Sequence, residues 1–379
     1  MPVKIALNLL SVDPKRQIGV ETFARRVVGG MKLRKDSEIH IALQNSASVE
    51  DVLGKPFIEG NPKFYFSSFR VRGMTQRLVS EIFRLGLLFY GSDVVFSVNN
   101  FGPFFGKRGQ KRIIVIHDVW FIDKGYEGSW WKKFLFLILM KLQVRRSHQV
   151  VTVSEFSKLA IMRTLAVSSD RIKVIKNCLD SGIAAIGLTS SGHYQSYDMR
   201  KIREDRYVLL IGSDRPNKNV KRVIQAYGQF LQSETKAPSI RIVGVYSSKF
   251  MNECKNSCHP DYQHKFIFDG YVERHAYERL IERSIGVIFA SLYEGFGIPV
   301  IEAISKNKRC VVSARSVCAE IAGFAGIQVN GLMVDDIERG IKELIEHEIP
   351  LSLDEIEEIV GEFMDCNRQS SELGKLLQK

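Results

Sequence analysis

The sequence predicts an α/β protein built from two doubly wound parallel-sheet domains in tandem. Short, nearly continuous apolar segments alternate with longer amphipathic ones, which is typical of βαβ units whose strands are buried on both faces. The alternation stops over residues 186–203, where glycine, serine and other polar residues accumulate, and then resumes. At 379 residues the chain is also longer than one hydrophobic core usually organises.

The first half contains five predicted strands and four predicted helices. Apolar runs predict strands at 3–10, 38–43, 93–98, 112–117 and 148–153. Amphipathic spacing predicts helices at 19–34, 74–90, 129–146 and 154–166. We therefore expect an N-terminal domain at residues 1–185 and a linker at 186–203.

A second alternation of strands and helices follows the linker. Apolar runs predict strands at 207–212, 239–244, 265–272, 285–293 and 309–314. Helices are predicted at 219–232, at 274–283 and from Pro299 onward. A C-terminal domain is expected at 204–362, and its candidate site lies in the loops at the carboxyl ends of the strands, where open sheets of this type bind ligands.

The composition predicts a compact protein and excludes several classes. Hydrophobic residues make up 45% of the chain and charged residues 25%. The longest apolar run, at 134–140, is far shorter than the roughly 20 residues that span a bilayer. The first residues lack the long apolar region of an export signal, so a cytoplasmic location is expected.

Six cysteines are scattered along the chain and are predicted to be reduced thiols rather than disulfides. Cys254, Cys258 and His259 lie close in sequence but lack a second pair of ligands, so no metal site is predicted there. The six residues are Cys178, Cys254, Cys258, Cys310, Cys318 and Cys366.

The positive charge is concentrated in the first half. The net charge is +12, and residues 1–180 contain 29 Lys and Arg against 15 Asp and Glu, whereas the remainder contains 25 against 27. Such a field attracts nucleic acid, anionic phospholipid or a phosphorylated substrate. No helix-turn-helix, zinc-finger or RNA-binding signature accompanies it, so nucleic acid is not expected as a partner.

The stretch SLYEGFGIPVIEA, at 291–303, carries the most informative pattern. A buried strand leads into a Gly-Phe-Gly loop and then a helix, with Glu294 in the loop and Glu302 in or just past the first helical turn. Glycines let a ligand approach backbone N–H groups closely, and a helix N-terminus favours anions. Carboxylates beside phosphate would be repelled, so the two glutamates are better suited to accept hydrogen bonds from hydroxyl groups. A nucleotide sugar has hydroxyls on both sides of a diphosphate; alternatively, Glu302 only offsets the helix dipole.

Several motifs together resemble one enzyme family. These are SLYEGFGIPVIEA, FDGYVER at 268–274, YVLLIGSDRPNKNVKRVIQAY at 207–227, His117-Asp118-Val119, VTVSEFSK at 151–158 and DRIKVIKNCLD at 170–180. The chain is similar to the retaining glycosyltransferases of family 4, which have the GT-B fold of two Rossmann-like domains facing across a cleft. In that fold the last segment, 363–379, is expected to be a helix packing back on the N-terminal domain.

The resemblance implies roles for individual residues. Glu294 would contact the donor sugar, Glu302 the ribose hydroxyls and Lys218 the diphosphate. Many members have an arginine where this chain has Ser213, and Arg215 is the expected substitute. His117 is expected near the donor sugar, although a lone histidine is more often structural. The remaining residues implied at the donor site are Gly19, Tyr271, Val272, Gly295, Phe296, Gly297 and Ile298.

The implied reaction is transfer of a hexose with retention of configuration. No Asp-x-Asp triplet occurs in the chain, so no cofactor or metal is expected and Lys218 and Arg215 would stabilise the departing phosphate. Mannose from GDP-mannose is the favoured donor, with UDP-sugars as the alternative, and surface-polysaccharide synthesis the favoured context. A sugar-nucleotide epimerase or phosphorylase of related fold stays open, whereas an oxidoreductase would need a G-x-G-x-x-G after the first strand.

The acceptor is expected to be a lipid-linked glycan. Residues 129–146 combine two tryptophans, an apolar stripe and cations that include Lys132 and Lys133, with Lys124 nearby, and 74–91 is a second such segment. This composition suits the inner face of an anionic plasma membrane. The alternative is a helix buried on the sheet with cations at its ends.

Overall fold

The computed structural model of the protein has two compact units. The first unit comprises Met1–Cys178 and Asp365–Lys379, and the second comprises Leu179–Met364. The predicted linker at 186–203 and Lys124 lie outside the described residues. The structure describes residues 2–13, 19–45, 47–61, 63–71, 73–123, 130–179, 206–234 and 236–378.

A seven-stranded parallel sheet organises the first unit, with the order β3-β2-β1-β4-β5-β6-β7. The strand order reverses between β1 and β4, as in doubly wound folds. The middle strands are buried on both faces, which explains their continuous apolar sequences. The strands are β1 Lys4–Asn8, β2 Glu38–Gln44, β3 Phe64–Phe69, β4 Val94–Ser97, β5 Lys111–Val115, β6 Gln149–Thr152 and β7 Ile172–Val174.

Helices connect these strands, and two of them contain π-helical turns. The π segments are Ala24–Val28 and Ser80–Arg84, and the second joins two short α-helices into one continuous element over 73–88. A 3₁₀ turn, Ser169–Arg171, precedes β7. The α-helices are α1 Gly19–Phe23, α2 Val49–Leu53, α3 Lys55–Gly60, α4 Gly73–Val79, α5 Leu85–Leu88, α6 Trp120–Asp123, α7 Trp130–Arg146 and α8 Glu155–Leu165.

A six-stranded parallel sheet organises the second unit, with the order β10-β9-β8-β11-β12-β13. Here the order reverses between β8 and β11. Leu209 and Leu210 of β8 pair with Val287 and Ile288 of β11. The strands are β8 Tyr207–Ile211, β9 Ser239–Val243, β10 Phe266–Gly270, β11 Val287–Phe289, β12 Cys310–Ser313 and β13 Gly326–Val329.

The helices of the second unit cover both faces of its sheet. On one face α9 and α14 bury Val223, Tyr227 and Ile341 against the strands. The Tyr227 hydroxyl donates to the Pro238 carbonyl, so this buried polar group is satisfied. Among the described residues of this unit, Pro216–Lys218, Pro260–Lys265 and Gly323–Ala325 form 3₁₀ turns. The α-helices are α9 Val220–Ser233, α10 Ser248–Asn256, α11 Arg274–Arg283, α12 Ile298–Ser305, α13 Val317–Ala322, α14 Val334–Glu346 and α15 Leu353–Met364.

The C-terminal helix α16, Cys366–Gln378, belongs to the first unit. Ser370 donates its hydroxyl hydrogen to the Arg26 carbonyl, and the backbone N–H of Lys176 donates to the Gln369 side chain. Leu373 is fully buried. The helix is therefore held by side-chain packing and by hydrogen bonds to other segments of the first unit.

The prediction that all six cysteines are reduced is wrong for one pair. Cys178 and Cys366 form a disulfide, although 188 residues separate them in sequence. The chain leaves the first unit after Cys178 and returns at Asp365, so these two positions become neighbours, with Cα atoms 5.4 Å apart. Sequence spacing could not reveal this because the pairing depends on where the second unit is inserted. The other four cysteines are free and buried.

The described helices are too short or too polar to cross a bilayer. The longest, α7, has 17 residues, and no helix in the described part of the chain is both long and apolar enough to cross a membrane.

Candidate functional site

The candidate site lies in the second unit, where β8 and β11 are adjacent and the strand order reverses. Parallel strands end at the same edge of a sheet, so the loops that follow β8 and β11 meet there. In open α/β sheets this switch point is where ligands bind.

Two asparagines fix the β8 loop to the β11 loop. The Asn217 side-chain amide donates to the Tyr293 carbonyl at 3.0 Å, and the Leu292 N–H donates back to the Asn217 carbonyl. Asn219, buried and in the left-handed region with φ of 58°, donates to the Ala290 carbonyl at 3.1 Å. The residue between them, Lys218, therefore has a defined position relative to the β11 loop.

Lys218 and Glu294 form an ion pair across these two loops. The Nζ–Oε1 distance is 2.7 Å, and the two side chains are 23% and 15% exposed. The ammonium group also lies 5.2 Å from the centroid of the Phe289 ring, a favourable cation–π distance. Partial burial strengthens both interactions, yet enough exposure persists for a ligand to reach the ammonium group, which carries three donors.

Glu302 has partners that the sequence did not indicate. The Arg274 guanidinium lies 2.7 Å from its Oε1, and the Tyr277 hydroxyl donates to its Oε2 at 3.0 Å. The Glu302 side chain is only 5% exposed, and Arg274 is also bonded to Glu278 at 2.6 Å. Burial, together with the Glu302 charge, raises the pKa of Tyr277 well above its usual value, so the hydroxyl keeps its proton and donates.

Each Glu302 oxygen retains hydrogen-bonding capacity. An ionised carboxylate offers about four acceptor positions, and the hydrogen bonds from Arg274 and Tyr277 use one on each oxygen. The carboxylate is thus held in one orientation and can still accept from a pair of hydroxyls.

The Gly-Phe-Gly loop leads directly into α12. Gly297 has φ of 96° and a Cβ there would lie 3.2 Å from the Cys318 sulfur, so both backbone conformation and space favour glycine. Ile298 is the first residue of α12, and Glu302 follows in its second turn. Phe296 is buried edge-to-face against Phe363, so only its backbone is available to a ligand.

The other residues predicted in this unit lie in loops at the carboxyl ends of neighbouring strands. Ser213 follows β8, and its hydroxyl accepts a long bond from the Arg215 N–H at 3.4 Å. Arg215 is exposed. Tyr271 follows β10 and is 75% exposed, whereas Val272 is partly buried. The contacts of these residues with a donor stay predictions.

His117 and Gly19 belong to the first unit. His117 is buried, and Nε2 donates to the Val98 carbonyl at 3.0 Å. Its ring packs edge-to-face on Phe23, and burial lowers its pKa to about 4, so the imidazole is neutral at pH 7. A Cβ on Gly19 would meet no atom within 4 Å, and its carbonyl accepts from Asn177. Roles for His117 and Gly19 at the donor site stay predictions.

The candidate site therefore combines an accessible cation with two oriented carboxylates. Sequence reasoning identified Lys218, Glu294 and Glu302 but missed Arg274 and Tyr277, because a helix rich in charged residues gave no sign of which side chains face Glu302. In the described part of the chain, no group of three or more His, Cys, Asp or Glu side chains lies close enough to hold a metal ion.

Comparison with known proteins shows glycosyltransferase similarity in both halves of the chain. Residues 19–182 match the family model Glycosyltransferase Family 4, and residues 198–358 match Glycosyl transferases group 1. Each half of the chain thus matches a glycosyltransferase family, the first of them family 4. The fold, two parallel-sheet Rossmann-like domains, is of the GT-B type.

Relatives of known activity include two mannosyltransferases of O-antigen synthesis. The O-antigen chain mannosyltransferase RfbU of Salmonella typhimurium is 26% identical over 221 residues, 58% of this chain and 57% of that protein. O-antigen chain mannosyltransferase B of Escherichia coli is 28% identical over 199 residues, 52% of this chain and 51% of that protein. The match spans just over half the length of these relatives.

Solved structures share the fold over nearly the whole chain. Anabaena Alr3699/HepE in complex with UDP and glucose has a TM-score of 0.66 at 15% identity and covers 99% of both chains. The lipopolysaccharide outer core galactosyltransferase WaaB has a TM-score of 0.65 at 15% identity, again over 99% of both chains. At this identity the likeness concerns the fold alone.

Proposed function

We propose that the protein is a retaining hexosyltransferase that moves a sugar from a nucleotide sugar to a lipid-linked glycan acceptor. The observation that carries the proposal is the Lys218–Glu294 pair at the switch point of the sheet, with Glu302 held in the helix that follows the same loop. A lysine suits the diphosphate of such a donor, and the two carboxylates suit the hydroxyls on either side of it.

In the proposed reaction the sugar leaves the diphosphate and is attacked by the acceptor, with Lys218, Glu294 and Glu302 in separate roles. The bond between the anomeric carbon and the β-phosphate oxygen breaks, the electron pair goes to that oxygen, and the Lys218 ammonium stabilises the added negative charge. The acceptor oxygen attacks the same face of the sugar, and its proton passes to the departing phosphate. Glu294 orients the sugar hydroxyls, and Glu302, held by Arg274 and Tyr277, accepts from the ribose hydroxyls.

Mannose from GDP-mannose is the favoured donor. The mannosyltransferase relatives support this sugar, and a UDP-sugar is the alternative that the sequence left open. Surface-polysaccharide synthesis is the context that the O-antigen relatives favour.

A thermal-shift screen of GDP-mannose, UDP-glucose, UDP-galactose and ADP-glucose tests the donor. A ligand that binds only the folded state stabilises it by about 2.7 kcal/mol at a concentration 100 times its Kd. We expect GDP-mannose to give the largest rise in melting temperature. A larger rise with a UDP-sugar would establish the alternative donor, and no rise with any nucleotide sugar would refute the proposed function.

Attachment to an anionic membrane surface is the second part of the proposal, and it is supported by the exposed face of α7. Buried residues occupy only one side of this helix, at Met140, Gln143 and Val144. The opposite side exposes Trp130 (79%), Trp131, Phe134, Leu135 and Ile138. Exposed tryptophans and apolar residues beside Lys132 suit the headgroup region of a bilayer better than water.

Substitution of Trp131 and Phe134 by alanine tests the membrane face. We expect the double variant to bind vesicles of phosphatidylglycerol and phosphatidylcholine about tenfold more weakly in co-sedimentation, because two aromatic side chains no longer leave water. The matched control is Leu159→Ala with Leu353→Ala, which removes exposed apolar groups elsewhere. Equal binding by wild type and both variants would contradict the attachment.

A further inference from the structure

A groove lined by both polar and apolar groups lies in the first unit and is not used by the proposed reaction. It encloses about 390 Å³ beside the continuous helical element 73–88. Arg70 follows the edge strand β3, and Arg84 ends the π-helical segment. With a rise of about 1.5 Å per residue, the lining positions from 75 to 84 extend roughly 13 Å along the helix. The groove is lined by Arg70, Thr75, Gln76, Val79, Ser80 and Arg84.

The charged side chains that line this groove are both arginines. Arg70 and Arg84 are exposed, and neither forms an ion pair with another described residue. The acidic residue on the same helix, Glu81, is 2% exposed, with Arg77 3.8 Å away. Burial raises the pKa of Glu81 to about 8, so at neutral pH this side chain is mostly uncharged and does not repel an anion.

Apolar side chains border the groove on the same elements. Val79 lines it, and Met74, Phe83 and Leu87 of the helical element are exposed, Leu87 at 83%. Phe83 packs on Phe105, 5.9 Å between ring centroids. A free phosphate would use only the arginines, whereas an anion attached to a hydrocarbon chain would also cover this apolar border.

We propose that the groove between Arg70 and Arg84 binds the phosphate or diphosphate group of a lipid, with its chain on the neighbouring apolar side chains. The guanidinium groups each offer paired donors to phosphate oxygens, and the exposed Thr75 hydroxyl adds a neutral donor. The inference rests on the proposed function, because a lipid-linked acceptor and an anionic phospholipid are the two lipid phosphates that such an enzyme meets.

Two probes distinguish the sources of the lipid phosphate. Farnesyl diphosphate in solution stands for a lipid-linked diphosphate, with farnesol and inorganic diphosphate as comparisons, and its binding is measured by calorimetry. Vesicles of phosphatidylglycerol in phosphatidylcholine, compared with phosphatidylcholine alone, report headgroup binding by co-sedimentation. Wild-type protein is expected to bind farnesyl diphosphate at least about tenfold more tightly than either comparison compound.

The double variant Arg70→Ala/Arg84→Ala is expected to bind one of the two probes at least about tenfold more weakly than wild type. The variant Arg70→Lys/Arg84→Lys keeps both positive charges and is expected to retain part of the wild-type affinity for that probe. Loss for farnesyl diphosphate assigns the groove to the acceptor, and loss for vesicles alone assigns it to phospholipid headgroups. The control Lys35→Ala/Arg163→Ala removes two exposed cations of the same unit. Stabilisation by GDP-mannose reports the second unit separately and should be unchanged. If the alanine variant binds both probes like wild type, the inference is wrong, even where nucleotide binding is normal.

Discussion

Replacing Lys218 by alanine is expected to lower kcat by about 10²- to 10³-fold. Loss of a single preorganised donor to a developing negative charge typically has this effect. The Asn217 and Asn219 hydrogen bonds hold the loop independently of the lysine side chain, so the fold should be retained. Nucleotide affinity should fall less than kcat, because the charge on the phosphate grows as the glycosidic bond breaks. The measurement is acceptor-dependent release of nucleotide from the best donor.

Lys221→Ala is the matched control for this experiment. Lys221 lies one helical turn further along, and its ammonium group pairs with Glu253 at 2.6 Å, away from Glu294. We expect wild-type kcat for this variant. A Lys218→Ala enzyme with unchanged kcat would show that the leaving group is stabilised by another residue, and Arg215 would then be the next candidate to test.

Replacing Glu302 by alanine is expected to raise the Kd for nucleotide by about 10- to 100-fold, with a smaller effect on kcat. Hydrogen bonds from the ribose hydroxyls to the carboxylate disappear, and one charge-assisted bond has a net worth of about 1.5–3 kcal/mol, so the loss of a single bond already gives roughly this change. Stability should fall as well, but by less than the roughly 3–5 kcal/mol typical of breaking a fully buried pair, because the Arg274 side chain is 32% exposed and can reach water.

Glu278→Ala separates binding from structural support. Glu278 also pairs with Arg274, at 2.6 Å, but leaves Glu302 and its Tyr277 bond in place. This variant should lose some stability and keep most of its nucleotide affinity in calorimetry. Equal Kd values for Glu302→Ala, Glu278→Ala and wild type would contradict a role for Glu302 in binding hydroxyl groups.

The sequence placed Lys218, Glu294 and Glu302 in one candidate site but did not predict the contacts among their side chains. Parallel strands end at one edge of a sheet, and the structure shows β8 and β11 to be neighbours, which brings together the loops carrying Lys218 and Glu294. The sequence alone did not give this strand order. The approach of Arg274 and Tyr277 to Glu302 depends instead on how α11 packs. Nothing in a helix with charges on most of its surface fixes that orientation in advance.

Some elements escaped prediction for physical reasons. The edge strand β3 has no fully buried residue, and its exposed positions do not alternate regularly with less exposed ones. Its sequence therefore shows neither the continuous apolar run of a buried strand nor the apolar–polar alternation of a strand with one buried face. The exposed apolar side of α7 was one of two alternatives that composition left open. In the structure Met140 and Val144 of the helix are buried, whereas Trp130, Trp131 and Phe134 are exposed, and attachment to a membrane stays a proposal.

The covalent link between Cys178 and Cys366 changes the topology of the molecule. It closes residues 179–365 into a covalent ring. The C-terminal helix, which begins at Cys366, is thereby bonded directly to the end of the first stretch of the first unit. A single cut of the backbone anywhere within that ring would therefore leave one covalent molecule until a reductant opened the link.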